Sequence, residues 1–175
     1  SKAAKKVSIL LCGCGNAVHV LLAYMGRDVK KYEFDVNVMS MHADRLVSSL
    51  PTDCRIHCVN DAGDDFYGRA NHISSDPAKV VPGCKVILFA LPTDRHEIYL
   101  KAMLPYIEEG SMIGSMPGEG GFDLCVRNIL GPELTDKCTL FSLETLPWAC
   151  RIQEFGRCVQ VLGTKKDIDL CVRPG

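Results

Sequence analysis

The sequence predicts a doubly wound α/β domain, a mainly parallel sheet with helices on both faces. Three observations carry that prediction. Apolar runs of strand length alternate with helix-length segments along the chain. Several of those runs, such as "VSILLC" and "KVILFAL", are apolar at almost every position instead of every second one. A glycine-rich turn, "CGCGNAV", stands at the first strand–helix junction. Strands that are apolar on both faces are covered on both faces, which a parallel sheet achieves through its crossover helices.

The elements follow in order. Val7–Cys12 reads as a buried strand, and "NAVHVLLAYMG" after it carries helical apolar spacing that ends at Gly26. Residues 34–41 ("FDVNVMSM") alternate with period two, and "ADRLVSSL" is a short helix closed by Pro51. Residues 54–74 read as strand–turn–strand, with residues 61–65 as the turn. Asp76 is placed to cap the short helix "PAKVV", with Pro77 at its first position. Residues 85–91 are a further strand, and residues 93–110 an amphipathic helix stopped by Gly110. Strand "SMIGSM" (111–116), glycine loop "PGEGG" (117–121) and helix "FDLCVRNIL" (122–130) come next. Strand "CTLFSLE" (138–144), turn "TLPWACR" (145–151) and a last strand "CVQVLGTK" (158–165) complete the pattern. No internal repeat or low-complexity segment interrupts it, so residues 1–175 are expected to form one domain.

Composition narrows the function. The 175 residues are 47% hydrophobic with a formal net charge of −1. That balance argues against nucleic acid as a partner. The longest apolar runs are far too short to cross a bilayer. The basic start, "SKAAKK", leads into a run that meets Gly13 and Gly15 within a few residues, so a strand fits better than a signal peptide. Ten cysteines suggest disulfides, but Cys12, Cys138 and Cys158 sit inside apolar runs, where a reduced thiol behaves as a small hydrophobe. A cytoplasmic protein is expected.

In Gly13-Cys14-Gly15-Asn16-Ala17-Val18, the first glycine would make the tight turn and the second would let backbone approach a pyrophosphate. The phosphates would rest on the helix N-terminus, where unpaired N–H groups and the dipole favour negative charge. This context makes the fold Rossmann-type and marks Gly13, Gly15, Asn16, Ala17 and Val18 as candidate cofactor residues. A tight turn with no ligand is the alternative. Val18 stands where such loops carry a small residue, which predicts a first helix pushed slightly outward or a small residue opposite. A metal is not expected. Only one residue separates Cys12 from Cys14, whereas zinc knuckles use roughly two to four, and "CRIHC" (54–58) lacks a second ligand pair.

Ser40, Met41 and His42 occupy the end of the second strand, where an acid would hold the adenosine ribose. The first acid is Asp44, followed by Arg45. Ser40, His42 and Arg45 are therefore candidates for a 2′-phosphate, hence NADPH. NADH held by Asp44 or by backbone groups fits equally.

The stretch "SLETLPWACRIQEFGRCVQVLGTK" (142–165) resembles the opine dehydrogenase family, most closely its octopine-forming members. Asn16 and His19 after the glycine loop, the strand ending at Leu91-Pro92, and His96, Glu97 and Tyr99 extend the resemblance to about residues 7–165. It implies reductive condensation of an amino acid with a 2-keto acid such as pyruvate, using NADH. It also implies that the histidine–aspartate acid/base pair belongs to a helical C-terminal domain with no counterpart in this chain. No catalytic residue is therefore assigned, and the chain alone is expected to be inactive.

By the same resemblance Leu91 and Pro92 would border the cofactor, and Glu144 matches a carboxylate near the amino-acid substrate. Pairing or capping at a strand end is the other role open to Glu144. Glu119 stands where octopine-forming members have glutamine, so their preference for arginine does not carry over. Cys150 is expected as a thiol near the cleft and Trp148 as a packing anchor. The alternatives are a non-catalytic NAD(P)-binding regulatory module and the cofactor domain of another two-domain reductase, ketopantoate-reductase-like or glycerol-phosphate-dehydrogenase-like; "SLETLPWACR" argues against such a reductase. A methyltransferase using S-adenosylmethionine would carry a clear acid at the second strand end.

Overall fold

The computed structural model describes residues 6–27, 34–118 and 120–175. Its first strands are β1 (Val7–Cys12) and β2 (Phe34–Met39), separated by helix α1 (Asn16–Met25) and followed by α2 (Ala43–Ser49). Next come β3 (Ile56–Val59), β4 (Asp65–Gly68), β5 (His72–Ser74) and α3 (Pro77–Val80). Then follow β6 (Val86–Phe89), α4 (His96–Met103), β7 (Met112–Ser115) and α5 (Phe122–Thr135). Strands β8 (Thr139–Leu143), β9 (Trp148–Glu154), β10 (Cys158–Thr164) and β11 (Leu170–Arg173) end the chain.

Seven strands form the main sheet in the order β11-β8-β7-β6-β1-β2-β5. All its pairings are parallel except β11 with β8. The all-apolar strands are explained by two cores. Ile9 and Leu11 of β1 and Val36 and Val38 of β2 face α1, while Leu10, Cys12, Met39, Ile87 and Phe89 face α3, α4 and α5. The Rossmann-type, mainly parallel expectation holds for this sheet.

The other strands build a second sheet, in the order β4-β3-β10-β9. It covers α1 from the side away from the main sheet, so seven of the ten helix residues, from Ala17 to Ala23, are buried. A helix apolar all round belongs between two layers. Gly68 of β4 lets the strand lie against the helix backbone, since a Cβ there would overlap the Leu22 carbonyl oxygen.

Two polar side chains of the first helical turn tie the layers together. Asn16 Oδ1 accepts from the Ile152 N–H of β9 at 2.8 Å. His19 Nδ1 donates to the Gly15 carbonyl at 3.0 Å, and its Nε2 accepts from the Gly156 N–H at 2.9 Å in the turn between β9 and β10. A carbonyl on one nitrogen and an N–H on the other fix a neutral imidazole protonated at Nδ1.

Several boundaries differ from expectation. Residues 54–74 hold three strands, because β5 adds to the edge of the main sheet beside β2. The helix expected over 93–110 is α-helical only from His96 to Met103, and residues 104–106 form a 3₁₀ turn containing Pro105. Helix α5 runs on to Thr135 through a kink at Gly131 (φ 76°), just before Pro132. "TLPWACR" is mostly strand, not turn, since β9 pairs antiparallel with β10. Nor is β10 the last strand. All ten cysteines are free thiols.

Burial holds the pKa of His19 below its ordinary value, with the Gly15 carbonyl bond opposing the shift. The unfolded chain therefore takes up a proton at higher pH than the folded one. Stability from this site is complete above about pH 6.5 and is lost as pH falls below it. Thermal midpoints measured between about pH 7.5 and 5.5 should fall with pH. His19→Leu should be less stable at the upper pH and lose part of that slope.

Candidate functional site

In an open parallel sheet, ligands bind beyond the carboxyl ends of the strands, where neighbouring connections diverge to opposite faces. Here that point lies at the end of β1, between β2 and β6. A cleft of roughly 430 Å3 occupies it, bounded by Gly13, Cys14 and Gly15 after β1, Ser40, Met41 and His42 after β2, and Ala90, Leu91 and Pro92 after β6. Arg95 and Tyr99 close its side.

The two glycines serve different purposes. Gly13 has φ +118°, and a Cβ there would stand 2.9 Å from the Ala90 carbonyl oxygen. Its N–H donates to the Met39 carbonyl at 2.9 Å, which anchors the turn to the end of β2. Gly15 is extended (φ −82°, ψ −167°) and is the N-cap of α1, with no side-chain hydrogen bond capping the helix. A Cβ on Gly15 would meet no atom within 4 Å. The uncapped helix start thus opens onto free space, which suits an anionic group.

Polar groups at the far side are used to hold the walls. Ser40 is buried, and its Oγ accepts from the His42 N–H at 3.1 Å. The Tyr99 hydroxyl accepts from the Met41 N–H at 3.1 Å and so fastens the end of β2 to α4. Burial pushes the Tyr99 phenol up, opposed by its bonds to Met41 and Ser40, so it stays neutral near pH 7. His96 is buried against Phe89 and Phe122, with Nε2 3.2 Å from the Leu91 carbonyl, which supports the turn into Pro92.

Gly13, Gly15, Ser40, His42, Leu91 and Pro92 are thus brought to one cleft. The side chains of four other candidate cofactor residues are placed elsewhere. Ala17 and Val18 are buried in the core, with Val18 fully covered. Asn16 spends its side-chain oxygen on β9. Arg45 lies with its guanidinium 4.4 Å from the centre of the Phe155 ring, outside the cleft.

Of the candidate substrate residues, Glu144 is exposed just after β8, where its N–H donates to the Asp169 carbonyl at 2.9 Å. Cys150 faces the core beside α1, where burial raises its thiol pKa, and it does not line the cleft. Glu119 lies outside the described residues. Trp148 stacks on Tyr24 at 5.8 Å, as a packing anchor.

Met41, Arg95 and Tyr99 line the cleft without having been singled out for it. The spacing could have indicated the last two: Arg95 lies in the turn directly after Pro92, and Tyr99 stands one helical turn further on. Among the described residues no group of three histidine, cysteine or acidic side chains could hold a metal ion. None of the described helices is long and apolar enough to cross a membrane.

A glycine turn joining the first strand to the first helix, at the switch point of a mainly parallel sheet, defines a Rossmann-type domain. The chain matches no protein-family model. It is 36% identical over 180 residues to the opine dehydrogenase of Haliotis discus hannai, covering 98% of this chain and 44% of that protein. It is also 36% identical over 165 residues to the octopine dehydrogenase of Pecten maximus, covering 91% of this chain and 40% of that one. A solved octopine dehydrogenase with NADH and L-arginine superposes with a TM-score of 0.89 at 33% identity, over 97% of this chain and 43% of the other. The chain belongs to the opine dehydrogenase family, and it spans about two fifths of the length of these relatives, their N-terminal part. A 2-dehydropantoate 2-reductase from Porphyromonas gingivalis shares the fold, with a TM-score of 0.67 at 15% identity.

Gly13→Ala should cost about 1–3 kcal/mol, because the left-handed backbone and the Ala90 oxygen both oppose a side chain. Urea unfolding followed by circular dichroism will check this.

Proposed function

We propose that the chain is the cofactor-binding part of an opine dehydrogenase and that it binds NADH in the cleft between β1, β2 and β6. The observation that carries this is the open space in front of Gly15 at an uncapped helix N-terminus. The N–H groups of the Gly15–Ala17 turn would hold the pyrophosphate, Ser40 to His42 would border the adenosine ribose, and Leu91 and Pro92 would flank the nicotinamide side. Bound there, NADH supplies the hydride that reduces an imine of an amino acid and a 2-keto acid such as pyruvate. The residues of this chain bind and orient; the acid/base pair belongs to the remainder of the full-length enzyme. Ten free thiols favour a reducing, cytoplasmic setting.

The amino acid used is a separate question. Glu119 stands where octopine-forming members have glutamine, so their preference for arginine does not carry over, and Glu144 is proposed to hold the cationic group of the amino acid. Ser40 and His42 in place of an acid at the end of β2 leave NADPH as a second cofactor to test.

Fluorescence titration should give saturable NADH binding to the chain. Gly15→Val should fold normally, since its backbone is extended and the site is open, yet lose binding by tenfold or more, about 1.4 kcal/mol. Equal affinity in the variant would reject the loop as the phosphate site. For the full-length protein, NADH oxidation with pyruvate and a panel of amino acids identifies the substrate; no turnover with any of them would favour a regulatory module.

A further inference from the structure

The outer face of the second sheet carries a cluster that the cofactor site does not use. Register places Tyr67 of β4, His57 of β3, Cys158 of β10 and Glu154 of β9 opposite one another in a single row. Their neighbours Cys58 and Val159 point the other way and are fully buried against α1, so the row faces solvent. His57 Nε2 is bonded to the Asp65 carboxylate. A carboxylate only accepts, so Nε2 carries a proton, and in the neutral imidazole Nδ1 presents a lone pair. That lone pair meets the Cys158 thiol, with Sγ 3.7 Å from Nδ1. The Tyr67 ring stacks on His57 at 4.5 Å and 8°, which restricts the imidazole to this orientation.

We propose that Cys158 is a base-assisted thiol, a site of reversible modification by small disulfides, with His57 as its base and Asp65 as the group that positions His57. Thiol, imidazole and carboxylate in series are the arrangement by which a cysteine is deprotonated at the moment of attack. Glu154, opposite Cys158, pairs with Arg157 at 3.3 Å and keeps its charge. Partial burial and the carboxylates of Glu154 and Asp65 push the Cys158 thiol up, so it is no standing thiolate and depends on His57 to take its proton.

In the exchange, His57 Nδ1 accepts the thiol proton and Cys158 Sγ attacks one sulfur of the disulfide. The old S–S bond breaks as the new one forms. The leaving thiolate takes the proton from His57 and departs as a thiol. Cys158 is thereby oxidised to the mixed disulfide, and one half of the small disulfide is reduced. A dithiol reductant reverses the step.

The molecule supplies its own controls. Cys54 and Cys171 are exposed, whereas Cys158 is half-buried, so ordinary reactivity set by access would rank Cys158 below both. Rates with oxidised glutathione, read by peptide mapping in a mass spectrometer, should instead place Cys158 about tenfold or more ahead of both. His57→Gln should drop Cys158 below the other two and leave their rates unchanged, with buried Cys58 still protected as the mark of an intact fold. Asp65→Ala, on the exposed rim of the sheet, provides the same comparison should His57→Gln not fold. Reaction of Cys158 no faster than Cys54 and Cys171, or a rate indifferent to the loss of His57 and Asp65, overturns the proposal.

Discussion

The structure depends on one constraint: α1 has no free face. A helix at the edge of a cofactor cleft would ordinarily show one side to solvent, but this one is pressed between the main sheet and a second sheet. Its first turn contributes Asn16 and His19 to the second sheet's backbone, at Ile152 and Gly156. Each such group left buried without a partner would cost about 1–3 kcal/mol. The direction in which the helix start points is therefore set by hydrogen bonds more than 130 residues away in sequence. Gly15, immediately before that turn, inherits a fixed position facing the cleft.

This constraint explains what was legible in the sequence and what was not. The main sheet declares itself because β1, β6 and their neighbours bury both faces, and the pattern of continuous apolar residues survives without knowledge of the partners. The second sheet buries one face only. In β9 only Cys150 is fully buried, among exposed Arg151, Gln153 and Glu154, and Pro147 stands directly before the strand. Local pattern reads that stretch as a turn. Strand β5 has three residues and β11 is exposed throughout, so neither carries a usable period.

The site divides along the same line. Gly13, Gly15, Ser40, His42, Leu91 and Pro92 follow the ends of strands in the main sheet, and a parallel sheet brings such positions together by its topology alone. Asn16 and Arg45 are near in sequence but their side chains answer to the second sheet, one at Ile152 and the other over Phe155. Val18 belongs to the same class. At this position a small residue normally packs the helix close to the strand; here the larger side chain is wholly enclosed in the core that the helix shares with both sheets. Arg95 and Tyr99 follow β6 directly, and their spacing from Pro92 brings them to the same cleft.

The cysteines complete the division between filling and chemistry. Cys12 lies in the main core with its thiol 3.9 Å from Met103 Sδ, and burial raises its pKa far out of the working range. Cys58 is pushed up to about 11 by burial, with Cys150 and Cys158 adding to the shift. These thiols occupy positions where a small apolar group is needed and no anion is tolerated, so they are inert as ligands or nucleophiles. Cys14 differs because it lies within the glycine loop and borders the cleft, and among the described residues it belongs to no group that could hold a metal ion. The spacing Cys12-Gly13-Cys14-Gly15 therefore records two unrelated demands: a thiol-sized filler at the end of a buried strand, and a loop whose glycines admit the Ala90 main chain on one side and leave open space at the helix start on the other.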